Sequence, residues 1–146
     1  MGVLIDNRQD KYALLQEKIR KKAQAILNAL GSPEAELSIL IVGDPEIEEL
    51  NRRYLNRPGP TNVIAFPMKE GGFPEITPQL LGDVVISIQT AQQEAKRAGI
   101  CMETRFEQLL VHGILHLFGF VHEKNENEAR KMEAKSAELL KLIEKL

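Results

Sequence analysis

The chain has 146 residues, 43% hydrophobic and 27% charged, with a formal net charge of −2. That length suits one domain, residues 1–146, with one core, and the composition is that of an ordinary soluble protein. The charge balance carries no global nucleic-acid footprint, and no apolar run approaches the roughly 18 residues that span a bilayer.

The N-terminal stretch MGVLIDNRQDKY lacks the apolar core of a secretory signal, and Asp6 stands where a myristoylation motif needs Ser or Thr. The single Cys101 excludes an internal disulfide. A cytoplasmic protein with no membrane partner is expected.

Val3, Leu4 and Ile5 suggest a short first strand. Residues 11–30 repeat apolar side chains at a helical period, and Gly31 follows as a cap glycine. The apolar, partly β-branched run ELSILIVG predicts a buried strand over residues 36–43. The next helix opens with Asp44 as the expected N-cap and Pro45 at its first position. Two basic clusters, KIRKKAQ and NRRYLNR, read first as solvated helix faces and permit RNA binding without arguing for it.

PTNVIAFP, residues 60–67, reads as a strand bracketed by prolines and therefore near a sheet edge. A loop rich in Gly and Pro over residues 68–81 precedes a strand over residues 82–88. Helices follow over residues 89–98, 103–118 and 125–146, the first two stopped by Gly99 and Gly119. The expected fold is α+β, with mixed α/β layers: one sheet of about four strands packed with about five helices. The helix over residues 103–118 reads as apolar all round and so central to the domain.

That central segment holds every histidine of the chain, in VHGILHLFGFVH. His112 and His116 are four apart, which places them on one helix face with Cβ atoms about 5–6 Å apart. His122 follows Gly119, where a left-handed turn can bring it back over the helix end. A lone histidine here would read as a core residue with its own hydrogen-bond partner. Three would need three buried partners, and the segment offers no polar side chain to serve them. One divalent cation satisfies all three. Zinc fits three neutral nitrogen ligands, one ion per chain, with a fourth position open for catalysis.

Zinc peptidases place a general-base Glu after their first histidine. Residue 113 is Gly, which weighs against a peptidase and leaves either close packing or room for substrate.

At these residues the chain resembles the YbeY-type endoribonucleases, or rRNA maturation factors, whose hallmark is H-G-x-L-H-L-x-G-Y-D-H. PTNVIAFP, LGDVVIS and EARKMEA extend the likeness over roughly residues 38–138. The resemblance implies a zinc-binding domain with His112, His116 and His122 as ligands. It also implies single-strand RNA cleavage in small-subunit rRNA 3′-end maturation and ribosome quality control, with rRNA and ribosomal particles as partners.

Two positions depart from the family pattern. Leu55 follows Tyr54 where the family has a phosphate-stabilising Arg, so Arg57, then Arg53, are the nearest candidate cations. Phe120-Val121-His122 replaces Y-D-H, and Glu123 is the candidate carboxylate to orient the last ligand. Thr61, Asn62 and Ser87 are candidate cleft residues, or else strand-end hydrogen bonders. Two alternatives stay open: a zinc metallopeptidase or other metallohydrolase, and a non-catalytic ribosome-binding factor with a structural metal.

Overall fold

The computed structural model describes residues 2–68, 80–120 and 125–146. In chain order these form β1 (Val3–Asn7), α1 (Gln16–Ala29), β2 (Glu36–Val42), α2 (Asp44–Leu55), β3 (Val63–Pro67) and β4 (Leu80–Ser87). Helices α3 (Ile88–Ala98), α4 (Met102–Leu117) and α5 (Glu126–Ile143) complete them. The sheet runs β1-β2-β4-β3, parallel except for the antiparallel β3–β4 pair. This is the expected α+β fold, with four strands and five helices among the described residues.

β3 lies at one edge, where Pro67 closes it without breaking an inner ladder. β1 forms the other edge, and Arg20 of α1 donates from Nε to the Val3 carbonyl at 3.2 Å. β4 is inner and buried on both faces. Its Val84 and Ile86 join the core that contains α1, α4 and α5, whereas Val85 packs with Val42, Ile47 and Ile64 on the α2 side. Gly82 opens this strand at close quarters: a Cβ there would lie 2.3 Å from the Phe66 carbonyl oxygen.

Three expectations are corrected. α1 begins at Gln16 rather than at residue 11. Before it, Gln9 donates from Nε2 to Asn7 Oδ1 and to the Tyr12 carbonyl, and its Oε1 accepts the Tyr12 N–H, each at 2.9 Å. These local bonds offer the backbone an alternative to helix. Gly43, not Asp44, caps α2; Asp44 is the first helical residue and Pro45 the second. Finally, α4 is central, packed against α1, α3, α5, β3 and β4, but it is not apolar all round. Arg105, Gln108, His112 and His116 are only partly buried and share one face. Among the described residues no helix is long and apolar enough to cross a membrane.

Candidate active site

His112 and His116 stand one turn apart on that polar face, with Nε2 atoms 2.9 Å apart and ring planes inclined at 72°. The two nitrogens lie within hydrogen-bond distance of each other, and two imidazole nitrogens so close are also a donor set for a borderline-soft cation. Tetrahedral bonds of about 2.0–2.1 Å place two such nitrogens roughly 3.3 Å apart, a small outward swing from the observed gap. His122, Glu123 and Val121 lie outside the described residues. Among the described residues no group of three His, Cys, Asp or Glu side chains is gathered to hold a metal ion.

The helix end is built for a turn. The Gly119 N–H donates to the His116 carbonyl and the Phe120 N–H to the Leu115 carbonyl, both at 3.0 Å. Gly119 has φ +93°, a conformation that glycine reaches without cost and β-carbon residues avoid. This paired closure ends α4 sharply at Leu117, with Phe118 as its C-cap.

Gly113 serves packing. A Cβ at this position would lie 2.7 Å from Val84 Cγ1 and 3.2 Å from Val63 Cγ2. The missing side chain therefore lets α4 press onto β3 and β4, rather than opening room for substrate. It also brings the histidine turn beside Val63, the residue that follows Asn62.

The candidate arginines come from α2 and the loop after it. Arg53 and Arg57 are both exposed, and neither makes an ion pair among the described residues. Arg53 holds its guanidinium 5.8 Å from the Tyr54 ring centroid, a cation–π contact. Arg57 follows Asn56, which takes the left-handed conformation at φ 54° and ends α2. Asn51 organises this loop. It is buried, its carbonyl accepts the Arg57 N–H at 3.2 Å, and its Nδ2 donates to the Gly59 carbonyl at 3.0 Å.

Thr61 is half-buried on the same loop. Asn62 is held twice: its carbonyl accepts the Ser87 N–H at 3.0 Å, and its Nδ2 donates to both Glu94 oxygens at 3.2 Å. Ser87 does not line a cleft. It is fully buried, and its hydroxyl donates to Asp44 Oδ1 at 2.5 Å, beside the Thr90 hydroxyl at 2.6 Å. The second of its two expected roles, strand-end hydrogen bonder, is the one it fills.

Sequence reasoning passed over Asn51, Glu94 and Arg105. Asn51 carried a readable signal, a polar residue on the buried stripe of a helix. Glu94 and Arg105 carried none, because each looks like an ordinary charge on a solvated helix face. Arg105 donates from Nε to Glu94 Oε1 at 2.9 Å.

An antiparallel strand added to a parallel sheet, crossed by a helix bearing a histidine pair, defines the class: an α+β domain with an imidazole site at its centre. The family model described as Endoribonuclease YbeY matches residues 4–144, and the chain belongs to that family. It is 49% identical over 145 residues to the Endoribonuclease YbeY of Geobacter sulfurreducens, covering 99% of this chain and 97% of the relative. With the Aquifex aeolicus protein of the same name it shares 44% identity over 123 residues, covering 83% and 79%. The solution structure of TM1509 from Thermotoga maritima has the same fold. Its TM-score is 0.69 at 23% identity, over 97% of this chain and 88% of that one.

Proposed function

We propose that this protein is a metal-dependent, single-strand endoribonuclease of the cytoplasm. It acts in maturation of the small-subunit rRNA 3′ end and in ribosome quality control, with rRNA and ribosomal particles as its partners. The converging His112 and His116 nitrogens carry this reading, in a chain whose family bears the endoribonuclease name.

His112 and His116, with His122 as third ligand, would hold one zinc ion per chain. When bound, zinc supplies Lewis acidity toward phosphoryl oxygens and acidifies water to a pKa of roughly 7. The chain's own residues do the rest. Arg57 donates its guanidinium to the phosphate, and Arg53 is the second source of positive charge. Asn51 fixes the loop from which Arg57 reaches out. Glu123 is the candidate carboxylate for orienting the last ligand. Gly113 brings no carboxylate to the histidine turn, and its packing against Val84 leaves no room for one, which disfavours peptidase chemistry.

The test offers zinc-loaded wild type, His112→Ala and Arg57→Ala proteins, prepared identically, a single-stranded RNA and casein side by side. Wild type should cleave RNA and leave casein intact. Arg57→Ala should lose about 100-fold or more in kcat, the scale of one lost transition-state donor. Activity unchanged in His112→Ala, or casein cleavage without RNA cleavage, overturns the reading. Ribosomal-particle binding with no cleavage would mark a binding factor instead.

A further inference from the structure

We infer that Glu94 is a positioning residue of the candidate site: its carboxylate clamps the loop that carries Arg57 to the helix that carries the histidines. The inference rests on the reading above, which places Arg57 and the histidines in one site.

Three elements meet at this carboxylate. Glu94 projects from α3. Asn62, at the end of the loop between α2 and β3, donates to both of its oxygens at 3.2 Å. Arg105, from the first turn of α4, donates from Nε to Oε1 at 2.9 Å. The Glu94 and Arg105 side chains are 28% and 27% exposed, so the contact is shielded without being sealed. Hydrogen bonds to an ionised group are about twice as strong as neutral ones.

Each partner extends the clamp. Arg105 Nη1 donates to Gln108 Oε1 at 2.8 Å, and Gln108 lies one turn before His112 on the same face. On the other side, Asn62 is followed by Val63, which meets Gly113, the residue after His112. The loop end is thus tied to α4 by a polar contact at one point and a close apolar contact at another. Removing Glu94 leaves the apolar contact as the tie to α4 and the Ser87 N–H as the loop end's remaining hydrogen bond, so the loop can shift relative to the histidines. Near-attack geometry is sensitive on this scale: a 1 Å misplacement can cost on the order of 100-fold in rate.

The test compares zinc-loaded wild type, Glu94→Ala, Asn62→Asp and the double variant Asn62→Asp/Glu94→Gln in RNA cleavage. In the double variant the new amide donates to the new carboxylate, while its carbonyl oxygen still accepts from Arg105. Each single variant should lose roughly 10- to 100-fold in kcat with KM nearly unchanged, and zinc content should stay near that of wild type. The double variant should recover to within about threefold of wild type. Folded Glu94→Ala with kcat within about twofold of wild type overturns the proposal, as does a double variant no better than the singles. Amide hydrogen exchange supplies an arm that needs no activity. The Ser87 amide, which donates to the Asn62 carbonyl at the clamped loop end, should exchange about tenfold faster in Glu94→Ala, and unchanged exchange there overturns the clamp. A wild-type protein that cleaves no RNA sinks the ribonuclease reading, while the exchange result still decides the clamp.

Discussion

On one face of the sheet, α1 and α4 bury Ile26, Leu27, Leu110 and Ile114 against Ile39, Val84 and Ile86, and α5 closes over both helices with Met132, Leu139 and Ile143. On the other, α2 covers the strands with Ile47 and Leu50 over Val42, Ile64 and Val85. The histidines ride on the thick face and the candidate arginines on the thin one. A densely packed helix holds its side chains in few rotamers, because close packing leaves little freedom. A loop under thin cover must be held by polar contacts instead, as Asn51 and Glu94 hold residues 56–62. The site therefore joins a rigid half to a tethered half.

The contrast is broken most directly by cavities. Ile114→Ala on the thick face should cost about 2–5 kcal/mol, read as a drop in the urea midpoint. Ile64→Ala, at the sheet edge on the thin face, should fall near the low end of that range because its surroundings can close in. Equal losses would erase the distinction between the faces.

A charge on the thick face comes next. Lys22 is buried and paired with Glu107 beside Phe106 and Leu110. Lys22→Met alone strands the Glu107 carboxylate and should cost about 2–3 kcal/mol, moderated because Glu107 keeps some access to water. Lys22→Met with Glu107→Leu should return close to wild-type stability. A double variant as unstable as the single would show that the pair stabilises the fold by itself.

Gly113→Ala probes how tightly the histidine helix is pressed down. Overpacking against Val84 and Val63 should cost about 1–3 kcal/mol, offset by about 1 kcal/mol of gained helix propensity. Zinc affinity should fall with it as α4 lifts from the strands, and calorimetric titration measures that fall. Ser87→Ala should cost a comparable amount, about 1 kcal/mol, since the α3 N-cap is lost while Asp44 keeps its bond from Thr90. A loss above that would mean the junction of α2 and α3 depends on this hydroxyl alone.

The difference between the faces also explains what the chain revealed in advance. The histidine pair was legible because a single helix places residues four apart on one face, whatever the rest of the fold does. The turn at Gly119 and the edge position of β3 were legible for the same reason, since glycine and proline act on their own backbone. What stayed hidden depends on distant partners. Asp44 is a good N-cap by composition, yet Ser87 and Thr90 draw its carboxylate away. The helical period from residue 11 is real, since Tyr12 and Leu14 do pack on the core, but the Gln9 network claims the backbone first. The roles of Glu94 and Arg105 emerge only when α3 and α4 lie side by side.

The two edges of the sheet have a consequence for the molecule among other molecules. A strand edge offers unpaired carbonyls and N–H groups to any neighbouring chain, and pairing there is a route to aggregation. β3 ends at a proline, which has no N–H to give. At β1 the Arg20 guanidinium occupies the Val3 carbonyl, and Asp6 and Arg8 place charge at the strand's far end. Crowded copies of this protein thus meet a backbone donor missing at one rim, and an acceptor already taken at the other.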